Sequence, residues 1–227
     1  MKVANTEPWP RTPEEAIALQ DHLRSRVVAE NPRPPAFRTL AGLDSAYDDH
    51  GNVVAAIVVL DAANLEPIES VTARGVTDFP YVPGLLAFRE LPTTVQALEK
   101  LTVTPDLLIC DSQGLAHPRR FGFACHLGLL TGVPTLGVAK NVWGEYDEPG
   151  SERGAFSTVS LDGEPVGRAL RTRAGVKPVY VSVGHNIDLD TACAQVLAAT
   201  TEYRLPETTR QADRLCRRLQ REFATES

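Results

Sequence analysis

TLAGLDSAYDDHGNVVAAIVVLDAANLEPIESVTARGVT, residues 39–77, is the stretch whose reading decides the fold. It is dense in Val, Ile and Ala, which suit a pleated surface. Two groups, Asp48-Asp49-His50-Gly51 and Asp61-Ala62-Ala63-Asn64, break it with residues that favour tight reversals. Three antiparallel strands joined by hairpins follow from that punctuation.

Outward from this block the pattern changes. Upstream, Thr12-Pro13-Glu14-Glu15 combines an N-cap hydroxyl, a proline at the first helical position and a Glu that can return a hydrogen bond. Ala16, Leu19, Leu23 and Val27 then recur at helical spacing, predicting a helix to about Val28 that ends at Asn31, Pro32, Pro34 and Pro35. Downstream, past a Pro80 to Gly84 loop, a helix is expected from Leu85 to about Leu101. A strand at Asp106 to Asp111, a helix from about Phe121 to Leu130 and a strand at Thr135 to Ala139 come next. Strands alternating with helices imply parallel crossovers. Gly144 to Gly154 reads as a mobile loop, and strands follow at Ala155 to Leu161, Val166 to Arg171 and Val179 to Val183, with two closing helices. The expectation is one α/β domain over residues 1–227, its mixed sheet half antiparallel hairpins and half parallel strands.

Composition bounds the function. No apolar run approaches the ~20 residues that cross a bilayer. The start, Met1 to Pro8, lacks the features of a signal peptide, so a cytoplasmic location is expected. Cys110, Cys125, Cys193 and Cys216 are scattered without C-x-x-C spacing, against zinc and against a disulfide framework. A net charge of −6 lacks the basic footprint expected of a nucleic-acid binder. No heptad pattern demands an oligomer, so a monomer is expected.

Several charged residues are placed where charge is costly. Asp44 lies within Leu40-Ala41-Gly42-Leu43-Asp44-Ser45-Ala46-Tyr47, and alternation puts it on one face with Gly42 and Ala46, whose small size leaves open space beside the carboxylate. Asp111 ends the apolar run Leu107-Leu108-Ile109-Cys110, so it emerges at the carboxyl edge of the sheet, where open α/β sheets hold ligands. A divalent cation is one way to stabilise two such acids together, and a turn or capping role is another. Glu90 and Asp213, beside arginines on helices, read alone as solvated helix faces. His117 lies in a glycine-entered loop leading to a helix whose first turn carries Arg119 and Arg120 against the macrodipole, a conflict that a phosphate would relieve. Lys140 leaves its strand at the same edge as Asp111, to orient a phosphate or to snorkel into solvent. His185 also leaves a strand at its carboxyl end.

Taken together, six ordered blocks from about Leu40 to Arg214 resemble the endonuclease V family. They are Gly42-Leu43-Asp44; Tyr81-Val82-Pro83-Gly84 running to Arg89-Glu90; Asp111 to Phe121; Gly137-Val138-Ala139-Lys140; Pro178 to His185; and Tyr203 to Glu207 with Ala212-Asp213-Arg214. The resemblance implies a ribonuclease H-like mixed sheet flanked by helices. It implies a Mg²⁺-dependent DNA repair endonuclease, with Mn²⁺ as a substitute ion, that cuts 3′ of a deaminated base such as deoxyinosine. Asp44, Asp111 and Glu90 would then be metal ligands, Asp213 would complete the acidic cluster, and Lys140 and His117 would act near the scissile phosphate. Pro80-Tyr81-Val82-Pro83 would be a wedge whose Tyr81 props the strands apart, with Gly84, Arg89, Gly114 and His185 among the substrate-binding residues. One position departs from the family pattern: Ser112 stands where Gly follows the Asp. The alternatives are an inosine-directed ribonuclease of the same fold, with inosine-containing RNA as partner, and a lesion-binding protein with impaired catalysis.

Overall fold

The computed structural model describes residues 1–3, 8–32, 36–48 and 50–226, the side chains of residues 223–226 excepted. Of the expected features, part of the N-terminal segment, Pro34, Pro35 and the turn residue Asp49 lie outside the described residues.

Among the described residues eight strands form one sheet: β1 (Thr39–Tyr47), β2 (Asn52–Asp61), β3 (Pro67–Val76), β4 (Leu107–Cys110), β5 (Thr135–Ala139), β6 (Phe156–Leu161), β7 (Glu164–Leu170) and β8 (Val179–His185). Their spatial order is β3-β2-β1-β4-β5-β8-β7-β6. The hairpin block is antiparallel as expected, β1 with β2 and β2 with β3. Only the centre is parallel, β1 with β4 and β4 with β5. On the other side β8, β7 and β6 are again antiparallel.

Among the described residues five α-helices cover the sheet: α1 (Pro13–Leu23), α2 (Ala87–Leu98), α3 (Phe123–Thr131), α4 (Leu189–Ala198) and α5 (Glu207–Glu226). The capping box at Thr12 and Glu15 forms as read, but α1 stops at Leu23 and a 3₁₀ turn, Arg24–Arg26, replaces its last turn. Ala41 and Leu43 of β1 join Ile57, Val59, Leu91, Leu98 and Leu127 in one core with α2 and α3. Leu40, Ile109, Leu136 and Val181 pack with Ile187, Cys193 and Val196 of the α4 region. Val54, Ala56 and Cys216 tie α5 to the hairpin half. Among the described residues no helix is long and apolar enough to cross a membrane.

Two expectations are corrected. The space beside Gly42 is filled: a Cβ there would stand 2.1 Å from the Thr208 carbonyl carbon, because the start of α5 lies directly on β1. Small residues on that face admit a helix, not solvent. The 144–154 segment is anchored, since Arg171 donates through Nε to Gly150 O (2.9 Å) and through Nη2 to Glu148 Oε1 and Pro149 O (both 2.7 Å). Tyr180 donates to Tyr146 beside it at 2.9 Å.

Candidate active site

Register builds the acidic half of the site. Leu43 pairs with Cys110 across the parallel β1–β4 ladder, so the next residue on each chain, Asp44 and Asp111, reach the carboxyl edge side by side. From one face of the sheet α2 supplies Glu90; from the other α5 supplies Asp213. The close approach at Gly42 sets α5 in place, and Cys216 Sγ donates to Asp44 O at 3.1 Å, locking helix to strand. Leu43, Ser45, Thr94 and Phe123 wall the small hollow in which Asp44, Glu90 and Asp111 meet.

The electrostatics of this hollow are unfavourable. Burial first, then the charges of Asp111 and Asp213, push the Asp44 carboxyl up to about 6. Burial, with Asp44 and Asp111 nearby, pushes Glu90 up to about 8. The cation at hand is Lys140, whose Nζ stands 2.5 Å from Asp111 Oδ2, on the same edge as expected from parallel β4 and β5. Asp213 is engaged by Arg217 at 2.9 Å. Among the described residues no three of these acids converge closely enough, as they stand, to share one ion. Their donor set, carboxylate oxygens without thiol or imidazole, suits a hard divalent cation such as Mg²⁺ or Mn²⁺.

The second half is a cleft of about 470 Å³ lined by Tyr81, Pro83, Gly84, Lys140, Val142 and Trp143, with Asp111 and Ser112 on its inner wall. Tyr81 is 67% exposed at the loop tip. The loop beneath it is held firmly. Gly84 has φ +81°, and its carbonyl oxygen meets three donors: Gln20 Nε2 (3.0 Å), His117 Nε2 (2.8 Å) and Arg119 Nη2 (3.1 Å). Arg119 N donates to His117 Nδ1 at 3.2 Å, so the proton of the neutral ring sits on Nε2, facing Gly84. Burial and two neighbouring arginines bring His117 down to about 4. Arg89 donates to Phe79 O and lies over the Tyr47 ring, bracing the loop from its other end.

Not every expected site residue comes here. His185 pairs with Thr135, the first residue of β5. Because β8 runs antiparallel to β5, its carboxyl end is the opposite edge of the sheet from Lys140. There His185 Nδ1 accepts from Val28 N at 3.1 Å. Gly114 faces β8, where a Cβ would meet Val183 O at 1.9 Å, and its N–H reaches Ser182 Oγ at 2.8 Å. Arg119 and Arg120 precede α3, which begins at Phe123 behind Gly122, so the expected conflict with the macrodipole does not arise. Arg120 is occupied by the carbonyls of His117 and Leu161 and by Glu164. Ser112 has no positive φ, so its backbone tolerates a side chain. Gln20 was not singled out by motif or spacing. Its signal was a polar residue four after Ala16, on the apolar face of α1.

A sequence model of the endonuclease V family matches residues 21–214. The chain is 70% identical over 209 residues to the endonuclease V of Nocardia farcinica, covering 92% of each. The chain belongs to the endonuclease V family. Like the rest of that family it is a nuclease. The crystal structure of endonuclease V from Streptomyces avermitilis superposes with TM-score 0.92 at 55% identity, over 99% of this chain and 100% of that one. Endonuclease V of Ciona intestinalis, in complex with a 24mer DNA containing an inosine followed by a ribo-adenosine, superposes at 0.83 with 26% identity, covering 92% and 98%.

Proposed function

We propose that the chain is a DNA repair endonuclease that hydrolyses a phosphodiester bond 3′ of a deaminated base, deoxyinosine foremost. The observation that carries this reading is the shared wall. Asp111 and Ser112 line both the acidic hollow and the cleft, so a base seated in the cleft brings its own backbone to the acids. The cleft's volume falls in the ~300–1,000 Å³ range of small-molecule pockets. The inosine-containing DNA held by the Ciona relative agrees with a base of that kind.

In this reading Asp44, Asp111 and Glu90 would hold a divalent ion, Mg²⁺ or Mn²⁺, with Asp213 closing the cluster. The Asp44 and Glu90 carboxyls are raised by burial first and by their acidic neighbours second, and a cation held among them would relieve both. When bound, the ion supplies Lewis-acid polarisation of the phosphodiester and neutralises developing charge. Lys140, already ion-paired with Asp111, turns its ammonium toward a phosphate oxygen and orients it. Tyr81 offers an exposed aromatic face to fill the space a displaced base leaves. His117 holds the Gly84 carbonyl, and with both ring nitrogens engaged it keeps the loop in place instead of moving a proton at the phosphate.

The deciding experiment is Mg²⁺-dependent nicking of a labelled duplex containing one deoxyinosine, beside an undamaged duplex, a matched inosine-containing RNA and the Asp44→Ala protein. Nicking confined to the lesion-bearing DNA strand and lost in Asp44→Ala supports the proposal. Preferential cleavage of the RNA would reassign the substrate, and tight lesion binding without turnover would leave a binding protein only.

A further inference from the structure

The loop that carries Tyr81 is tied to the segment that carries Asp111 at the Gly84 carbonyl, where the buried Gln20 amide joins His117 and Arg119. Gln20, on α1, is 1% exposed. Its Nε2 donates to Gly84 O at 3.0 Å and to Phe121 O at 3.1 Å, and its Oε1 accepts from Arg119 Nε. The donors of the amide nitrogen are both used, and each of its partners belongs to the 80–84 loop or to the 111–121 segment. An apolar residue would fill the same stripe of α1, which packs through Ala16 and Leu19 on Phe79, Leu85 and Phe88. A buried polar side chain instead specifies one arrangement of the groups it joins, because any other leaves it unsatisfied.

We propose that Gln20 is a positioning residue for lesion recognition, fixing the Tyr81 loop at a set distance from the acids by holding the Gly84 carbonyl. The inference rests on the reading of Tyr81 as the wedge. Gly84 is the pivot: with φ +81° it needs no Cβ, and one would stand 2.9 Å from Arg119 Nη2 and 3.2 Å from His117 Nε2. Without the Gln20 donors two carbonyls lose a partner, Phe121 O in the buried interior and Gly84 O, which keeps His117 and Arg119 but is no longer tied to α1 through Gln20. The loop then samples positions in which Tyr81 no longer faces the duplex above Asp111. The acids, held by β1, β4, α2 and α5, keep their places.

The test uses the full chain as wild type, Gln20→Glu, Gln20→Met and Tyr81→Ala. Strand opening is read from a 2-aminopurine beside deoxyinosine in EDTA, nicking is resolved into kcat and KM, and Mn²⁺ affinity is measured by titration. Gln20→Glu keeps an acceptor for Arg119 but, ionised, offers Gly84 no donor. Its opening at pH 8 is expected to fall about tenfold, the scale of one lost buried hydrogen bond, with Mn²⁺ affinity within about twofold of wild type. Lowering the pH protonates the carboxyl and returns one donor, so the ratio of Gln20→Glu to wild-type opening rises toward one, whereas Gln20→Met stays low throughout. Wild-type opening by Gln20→Glu across that range overturns the proposal, and that measurement stands even where Gln20→Met fails to fold. Tyr81→Ala separates the two readings. If it opens the duplex as well as wild type, the wedge itself falls; if it loses opening while the Gln20 variants keep it, only the positioning role falls.

Discussion

The two halves of the site, within one cleft wall of each other, are built on opposite principles. Around Gly84 every contact is matched: one carbonyl, three donors, and a neutral histidine whose two nitrogens are both used. Around Asp44 the reverse holds, with four acids close enough for mutual repulsion, of which Asp111 is ion-paired with Lys140 and Asp213 with Arg217. A matched cluster is finished before anything binds and supplies shape. An unmatched one is completed by what binds, and there the free energy of ligation is gained. On the proposed function, shape recognition and chemistry are divided between a preorganised loop and an electrostatically loaded edge.

The largest effects should come from the loaded half. Asp44→Ala or Asp111→Asn is expected to lower nicking of a deoxyinosine duplex by about 10³-fold or more. The melting temperature of the ion-free protein should hold or rise, since each change removes repulsion. A fall of many degrees would mean that the acids brace the fold, and unaltered nicking would remove them from the reaction.

Next comes pH, where the halves pull in opposite directions. Asp44 and Glu90 keep their protons in the folded protein to about 6 and about 8, while the unfolded chain releases them near the ordinary 3.8 and 4.5. Across that interval the folded state binds more protons, so stability falls as pH rises and the loss is complete above about 8. His117 and His126, both brought down to about 4 chiefly by burial, do the opposite. The unfolded chain takes up their protons near 6.5, so stability is lost as pH falls from there toward 4. Thermal melts of the ion-free protein should therefore peak near neutrality. Mg²⁺ should raise the melting temperature more at pH 8 than at pH 5.5, and Glu90→Gln should flatten the slope between 6.5 and 8. An unchanged slope in that variant would break the assignment.

A smaller effect is expected from Gly84→Ala. The positive φ and the crowding by Arg119 and His117 should cost ~1–3 kcal/mol of stability and weaken discrimination of deoxyinosine from adenine while Mn²⁺ binding is kept. Loss of ion binding in this variant would show the halves to be one unit.

The contrast also explains what could be read in advance. Asp111 and Lys140 were legible because each follows an apolar run, and strand ends in a parallel block meet at one edge whatever the packing details; Asp44, inside β1, was legible as a carboxylate within a strand of small and apolar residues. The hairpin block was legible from its turns. The direction of β8 was not, because a buried strand has the same composition whether it runs with its neighbour or against it, and that direction decides which edge receives His185. Gly42 was misjudged for a related reason: alternation gives the face a residue occupies but not what comes to lie on it. Gln20 acts through three hydrogen bonds to residues 64 to 101 positions away, a relation that no local pattern carries.

The smallest effect is the one that delimits the site. His185→Gln is expected to change nicking by less than about threefold, because the acids and the cleft are at the other edge of the sheet, and distant sites couple weakly. What it should lose is stability, ~1 kcal/mol, through the bond that ties Val28 N–H after α1 to the end of β8. The amide oxygen of a glutamine lies one bond further out than Nδ1 and so restores that bond poorly. If nicking nevertheless fell as steeply as in the Asp111 variant, while the melting temperature moved by only a few degrees, substrate would have to reach across the sheet to its far edge. The division between a shape half and a chemical half would then have to admit a third contact region.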